Sequence, residues 1–178
     1  MRSLSLLAAA LLQGLWIAHA QQDQSQQSAN SSAKPEVLIH SDSDFCLFLP
    51  PQPGLDVATN EDNGIPFCTN PDNVPGSKPF PEGFITTAHY QKNDTYEQIT
   101  GYIDASKYQL QPTDGGGQYD SHGDGKPKGA SCQNYDYFVS LIEPSDNRFC
   151  IRCCKNENDC PTGRSGYGCL RVVPGDYS

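Results

Sequence analysis

Beyond its first 20 residues this chain has no methionine and no tryptophan, because Met1 and Trp16 are the only ones. Basic residues are also scarce: 12 Lys and Arg stand against 21 Asp and Glu, for a formal net charge of −9. That balance excludes the electrostatic footprint of a nucleic-acid binder, whose affinity comes largely from phosphate contacts. After the first 20 residues no long apolar run remains. Neither a membrane span nor a lipid-anchored tail is therefore expected. Sustained helical spacing is missing too. At most, Asp104 to Lys107 is predicted to make a single turn.

What is present divides the chain in three. Arg2, the apolar stretch Leu4 to Ala18 and the small-x-small pattern Ala18-His19-Ala20 read as a removable secretory leader over residues 1–20. Residues 21–36 hold five Gln, four Ser and no large apolar side chain, which predicts a disordered spacer. Residues 37–178 are expected to form one domain. Asn30-Ser-Ser and Asn93-Asp-Thr are N-glycosylation sequons, giving Asn30 and Asn93 as expected attachment sites. A secreted, extracellular or wall-associated monomer is the expectation.

Eight cysteines follow the leader: Cys46, Cys68, Cys132, Cys150, Cys153, Cys154, Cys160 and Cys169. An even count in an oxidising compartment predicts four disulfides, although the sequence leaves roughly a hundred pairings open. Each bridge is worth ~2–4 kcal/mol. The competing reading is a zinc site built on Cys150-x-x-Cys153 with Cys160 and Cys169. The adjacent Cys153-Cys154 and the compartment favour disulfides. No cofactor is expected.

Short β-prone runs separated by turn residues predict an all-β fold with long irregular loops. Brief strands are expected at 36–40 and 45–49, followed by a proline-rich, wandering loop over 50–83 pinned by Cys68. Phe84 to Gln91 and Tyr96 to Ile103 read as a hairpin with Asn93 at its tip. A second hairpin runs from Tyr135 to Leu141, turns at Pro144 to Asn147 and returns over Arg148 to Cys154. On that return strand Cys150 and Cys154 share a face and Cys153 points opposite. A last strand is expected over Tyr167 to Val173.

The stretch Asp114-Gly-Gly-Gly-Gln-Tyr-Asp-Ser-His-Gly-Asp124 is the most unusual chemically. Its glycines permit close approach of a ligand or of another chain segment. Gly116, Gly117, Tyr119, Asp120 and His122 are the expected binding residues, with Tyr135 and Tyr137 as possible neighbours in a shallow groove. Asp114, Asp120, His122 and Asp124 form the alternative cation ligand set, and Asp120 with His122 the alternative acid/base pair. The plainer reading is a surface loop whose Asp and Ser side chains cap its own backbone. His89 is expected to be a half-buried strand histidine bonded to backbone, and His40 has no evident partner. No serine sits in a nucleophile elbow.

Five motifs in order then carry a resemblance: Phe45-Cys-Leu-Phe-Leu-Pro-Pro, Gly116-Gly-Gln-Tyr-Asp-Ser-His-Gly, Phe149-Cys-Ile-Arg-Cys-Cys, Cys160-Pro-Thr-Gly-Arg and Val173-Pro-Gly-Asp-Tyr. Over residues 45–178 the chain resembles fungal secreted cysteine-rich glycoproteins, the immunoreactive mannoproteins and macrophage-activating glycoproteins. The resemblance implies an extracellular or wall-associated protein with no enzymatic activity assigned to it. Some relatives carry a cysteine pair where this chain has Tyr102 and Ala105, which leaves the count even. The leading expectation is thus a non-catalytic binding protein, its partner a cell-wall polysaccharide or an extracellular protein. The alternatives are a secreted hydrolase or metal-dependent enzyme using the 114–124 loop, and an effector directed at a host or competitor.

Overall fold

The computed structural model describes residues 34–178. The expected leader and Asn30 lie outside the described residues. Eleven strands follow one another: β1 Glu36–Val37, β2 Ile39–Ser41, β3 Asp44–Leu49, β4 Ile65–Cys68, β5 Lys78–Pro79, β6 Ile85–Lys92, β7 Tyr96–Ile103, β8 Gly117–Asp120, β9 Ser131–Cys132, β10 Tyr137–Glu143 and β11 Arg148–Cys154. Short 3-10 turns connect them, and the single α-helix among the described residues is α1, Cys169–Val172. The fold is the expected disulfide-linked all-β domain. Among the described residues no helix is long and apolar enough to cross a membrane.

The larger sheet has the order β6-β7-β11-β10-β8 and is antiparallel throughout. Both expected hairpins lie in it, joined side by side through β7 and β11. The β10–β11 turn closes through Pro144–Asp146 with Asn147 in the left-handed region, a conformation Asn tolerates. The smaller sheet, β2-β3-β4-β5, packs on one face of the larger. Phe45 of β3 stacks on Phe149 of β11 with centroids 5.7 Å apart, and Phe48 meets both Phe138 and Tyr119 at the same distance. The opposite face of the large sheet is covered only by the C-terminal segment, where Val139, Leu141, Val172, Val173 and Tyr177 cluster. With both faces buried, β10 and β11 read as nearly continuous apolar runs.

The cysteines pair as Cys46–Cys68, Cys132–Cys153, Cys150–Cys169 and Cys154–Cys160. No free thiol remains among the described residues, so zinc has no thiolate to bind. Strand parity works as expected: Cys153 enters the core between the sheets, while Cys150 and Cys154 reach the C-terminal cover.

Three expectations need correction. Residues 50–83 are not all loop, because Ile65–Cys68 forms β4 against β3 with Cys46 opposite Cys68. Proline in a run argues against a strand, but Pro66 sits where β4 has a free edge: β5 pairs only with Phe67 and Cys68. Second, Tyr167 to Val173 is helical rather than extended. Val172 and Val173 donate to the carbonyls of Gly168 and Cys169, and Gly168, at φ +70°, reverses the chain just before. Buried Cys169, Val172 and Val173 alternate with exposed Leu170 and Arg171, a helical spacing that seven residues do not separate from a strand's. Third, the end of the spacer belongs to the fold. Glu36 pairs with Ser131 in β1–β9, and its carboxylate accepts a bond from Gln133 Nε2 at 2.9 Å.

Candidate functional site

In the glycine-rich segment the glycines serve contact between chain segments. Gly116 has φ +93°, and a Cβ there would lie 2.0 Å from the Ile142 carbonyl oxygen. At Gly117 a Cβ would meet the Glu61 carboxylate at 2.8 Å and the Ala58 backbone at 2.9 Å. The segment becomes β8 because it lies edge-on to β10, with Tyr119 opposite Ser140. Tyr119 is fully buried, its ring against Phe48, so it offers no stacking face to a ligand. Burial drives its phenol pKa far upward.

Two of the acidic residues there, Asp114 and Asp120, accept from main-chain amides. Asp114 accepts from the Val57 and Gly116 amides at 2.9 and 2.8 Å. Asp120 accepts from Gln118 Nε2 at 2.6 Å and from the main-chain amide of His122 at 2.8 Å. The His122 imidazole is instead exposed, with Glu157 at 3.8 Å. Asp124 is exposed as well. The structure therefore does not bring Asp120 and His122 together as an acid/base pair. Nor do Asp114, Asp120, His122 and Asp124 converge; among the described residues no group of three or more His, Cys, Asp or Glu could hold a metal ion. Asp114 and Asp120 cap amides of their own segment, Gly116 and His122, in the manner of the capping reading.

His89 matches its expectation, with Nε2 at 2.6 Å from the main-chain oxygen of Ser178. His40 does have a partner: Asp44 Oδ2, 3.1 Å away across the β2–β3 turn.

A different polar cluster lies at one end of the two-sheet core, and sequence reasoning missed it. β6–β7 register sets Lys92 opposite Glu97, and the Lys92 ammonium bonds the Glu97 carboxylate. Glu97 is only 7 % exposed, since β11 flanks it on the other side with Cys153 in register. The bond to Glu97 raises the Lys92 pKa. Tyr135 lies close as well: burial first, then Glu97, pushes its phenol pKa up. Tyr90 is raised for the same two reasons. His40, Lys92, Glu97, Asn134, Tyr135 and Lys155 together line an open depression of about 570 Å³. Asn93 stands on its rim, its side-chain oxygen accepting from the amides of Thr95 and Tyr96 at 2.8 Å. Carboxylate, ammonium, phenol and carboxamide set side by side suit a ligand dense in hydroxyl groups, each of which can donate and accept. The one signal legible beforehand was the opposite charge of residues 92 and 97 flanking the hairpin turn.

No family model matches the chain. No solved structure matches it significantly. Two curated proteins of the fungus Mycosarcoma maydis do. Appressorium protein ROW1 is 31% identical over 155 residues, 78% of this chain and 36% of that protein. Appressorium protein ROW2 is 32% identical over 167 residues, 84% of this chain and 57% of that protein. The chain thus spans about a third to somewhat over half the length of the curated relatives it matches, and what it shares with these fungal appressorium proteins includes most of the disulfide-linked domain.

Proposed function

We propose that this chain is a secreted fungal protein that acts outside the cell by binding, without turnover, and that its contact site is the depression around Glu97 and Tyr135. The observation that carries the reading is a nearly buried carboxylate held by Lys92 and lining, with the Tyr135 phenol, a depression open to solvent. Four disulfides suit an oxidising compartment, and the leader pattern over 1–20 with the sequons at Asn30 and Asn93 suits export as a glycoprotein. The names of the two relatives point to an appressorium setting. The resemblance of the five motifs to those of the mannoprotein family supports the same surface role. The Asp114 and Asp120 carboxylates of the 114–124 loop accept from main-chain amides, which speaks for binding over hydrolysis.

The ligand class proposed is a neutral wall oligosaccharide. Its test is thermal unfolding of the oxidised protein with soluble β-glucan, chitin and mannan oligosaccharides. One class should raise the midpoint, as a stabilisation of about 2.7 kcal/mol at a hundred times the dissociation constant requires. The shift should vanish in Glu97→Gln and in Tyr135→Phe. A shift that survives both substitutions, no shift with any of the three, or hydrolysis of the sugar would overturn the proposal.

A further inference from the structure

A second surface is unlike the rest of this acidic molecule. The described residues contain four arginines, and two are used internally. Arg148 pairs with Glu143 and Asp146. Arg152 lies over the Tyr96 ring at 4.2 Å and donates to Gln98 and to the Asp159 carbonyl. The other two, Arg164 and Arg171, are exposed and make no ion pair or side-chain hydrogen bond among the described residues. Together with Tyr167 they line one shallow depression of about 320 Å³ with Val172 at its floor. Tyr167 is 68 % exposed and the adjacent Leu170 53 %, among the few large apolar side chains left in solvent.

The patch is held rigidly. Cys169, between Tyr167 and Arg171, is bonded to Cys150 of β11, and its amide donates to the buried Glu143 carboxylate at 3.0 Å. Gly163 and Gly166, which flank Arg164 in sequence, have open space where a Cβ would stand. An exposed aromatic on a cross-linked turn loses little freedom when it binds. Two guanidiniums beside it offer planar, bidentate recognition of carboxylates, and the ring offers a stacking face.

We propose that Arg164, Tyr167 and Arg171 bind an acidic polysaccharide through its uronate units, a site separate from the Glu97 depression. Neighbouring uronate units supply both halves of the match: one carboxylate for each guanidinium and an apolar pyranose face for the ring. An acidic peptide fits less well, because the surface is helical turn with no free strand edge for main-chain pairing and no deep pocket for a side-chain anchor.

The experiment is calorimetric titration of the full oxidised protein with oligogalacturonate, with its methyl ester and with poly-glutamate of matched charge. Oligogalacturonate should bind, and esterification should weaken it by about tenfold or more. The double variant Arg164→Gln/Arg171→Gln and the single Tyr167→Ala should each lose about tenfold while their unfolding midpoints stay unchanged, since all three side chains are exposed. Arg164→Lys/Arg171→Lys should recover only part of the loss, because charge returns without the planar fork. Glu97→Gln should leave this binding intact, whatever it does to neutral sugars. No binding of oligogalacturonate, binding indifferent to the arginines, or equal binding of poly-glutamate would overturn the assignment.

Discussion

The two faces of the large sheet are buried by different means. On one, two sheets press aromatic rings together: Phe45, Phe48, Phe84, Phe138, Phe149 and Tyr119 are all fully buried. On the other, a C-terminal segment with one turn of helix lies over the strands, and besides cysteines the buried apolar contact comes from Val139, Leu141, Val172, Val173 and Tyr177, with Tyr96, Tyr102 and Tyr137 half-buried against them. That cover compensates with covalent and polar ties. Cys150–Cys169 and Cys154–Cys160 anchor it, and Gln98, itself fully buried, donates to the Pro174 carbonyl at 3.1 Å. Thr100 donates to the Asp176 carbonyl in the same way. A thin layer with little surface to bury cannot offset its ordering entropy by packing alone. Cross-links remove that entropy from the unfolded chain instead.

The sharpest way to break this contrast is from the thick side. Phe45→Ala opens a cavity between Phe149 and Phe80 and should cost ~3–5 kcal/mol. Chemical denaturation should show one cooperative transition shifted as a whole, because both sheets share that ring. Two separate transitions would show instead that the sheets unfold independently.

Removing a tie from the thin side should behave differently. Cys150→Ala/Cys169→Ala releases a loop with a sequence separation of 19 and should cost ~2–4 kcal/mol. The Cys154–Cys160 bridge closes a separation of only 6, so its loss should cost less. Hydrogen exchange checks the local character of the effect. Amides of Val172 and Val173 should lose protection first, while β10 and β11 keep theirs. Equal loss everywhere would make the cover an integral part of the core.

How legible the molecule is in its sequence follows the same division. The two hairpins were readable because alternation and turn chemistry coincide there, as at Pro144 to Asn147. The opposite facing of Cys153 followed from parity alone. β4 was hidden by Pro66, whose edge position only the fold reveals. The helical turn at Cys169–Val172 was hidden by its length, since four residues cannot display a period. For the site, the glycines of 114–117 announced close approach but not of what, and the answer was chain: Ile142, Ala58 and Glu61. The Glu97 cluster needs the β6–β7 register and the position of Tyr135 from a separate segment, neither of which any local pattern encodes.

The gentlest probe of the contrast is alkaline pH. Burial pushes the Tyr108 phenol, on the thick side, up to about 12, and raises Tyr177, under the cover, as well. A phenol raised in the folded state contributes stability that is complete below its unfolded value, about 10, and is lost as pH rises toward the folded value. The native protein should therefore lose stability only above about pH 10, as the unfolded chain ionises and the folded one resists. Phenolate absorbance should show Tyr108 and Tyr177 ionising only at pH above the range of an ordinary phenol. In Cys150→Ala/Cys169→Ala the two should separate: Tyr177, whose shelter is the cover, should move down toward its ordinary value, while Tyr108, packed against Phe67 and Phe84 with its hydroxyl on the Pro50 carbonyl, should not. If both phenols moved together, the two faces would be one cooperative unit and the disulfides would be tying down the whole sandwich instead of its thin side.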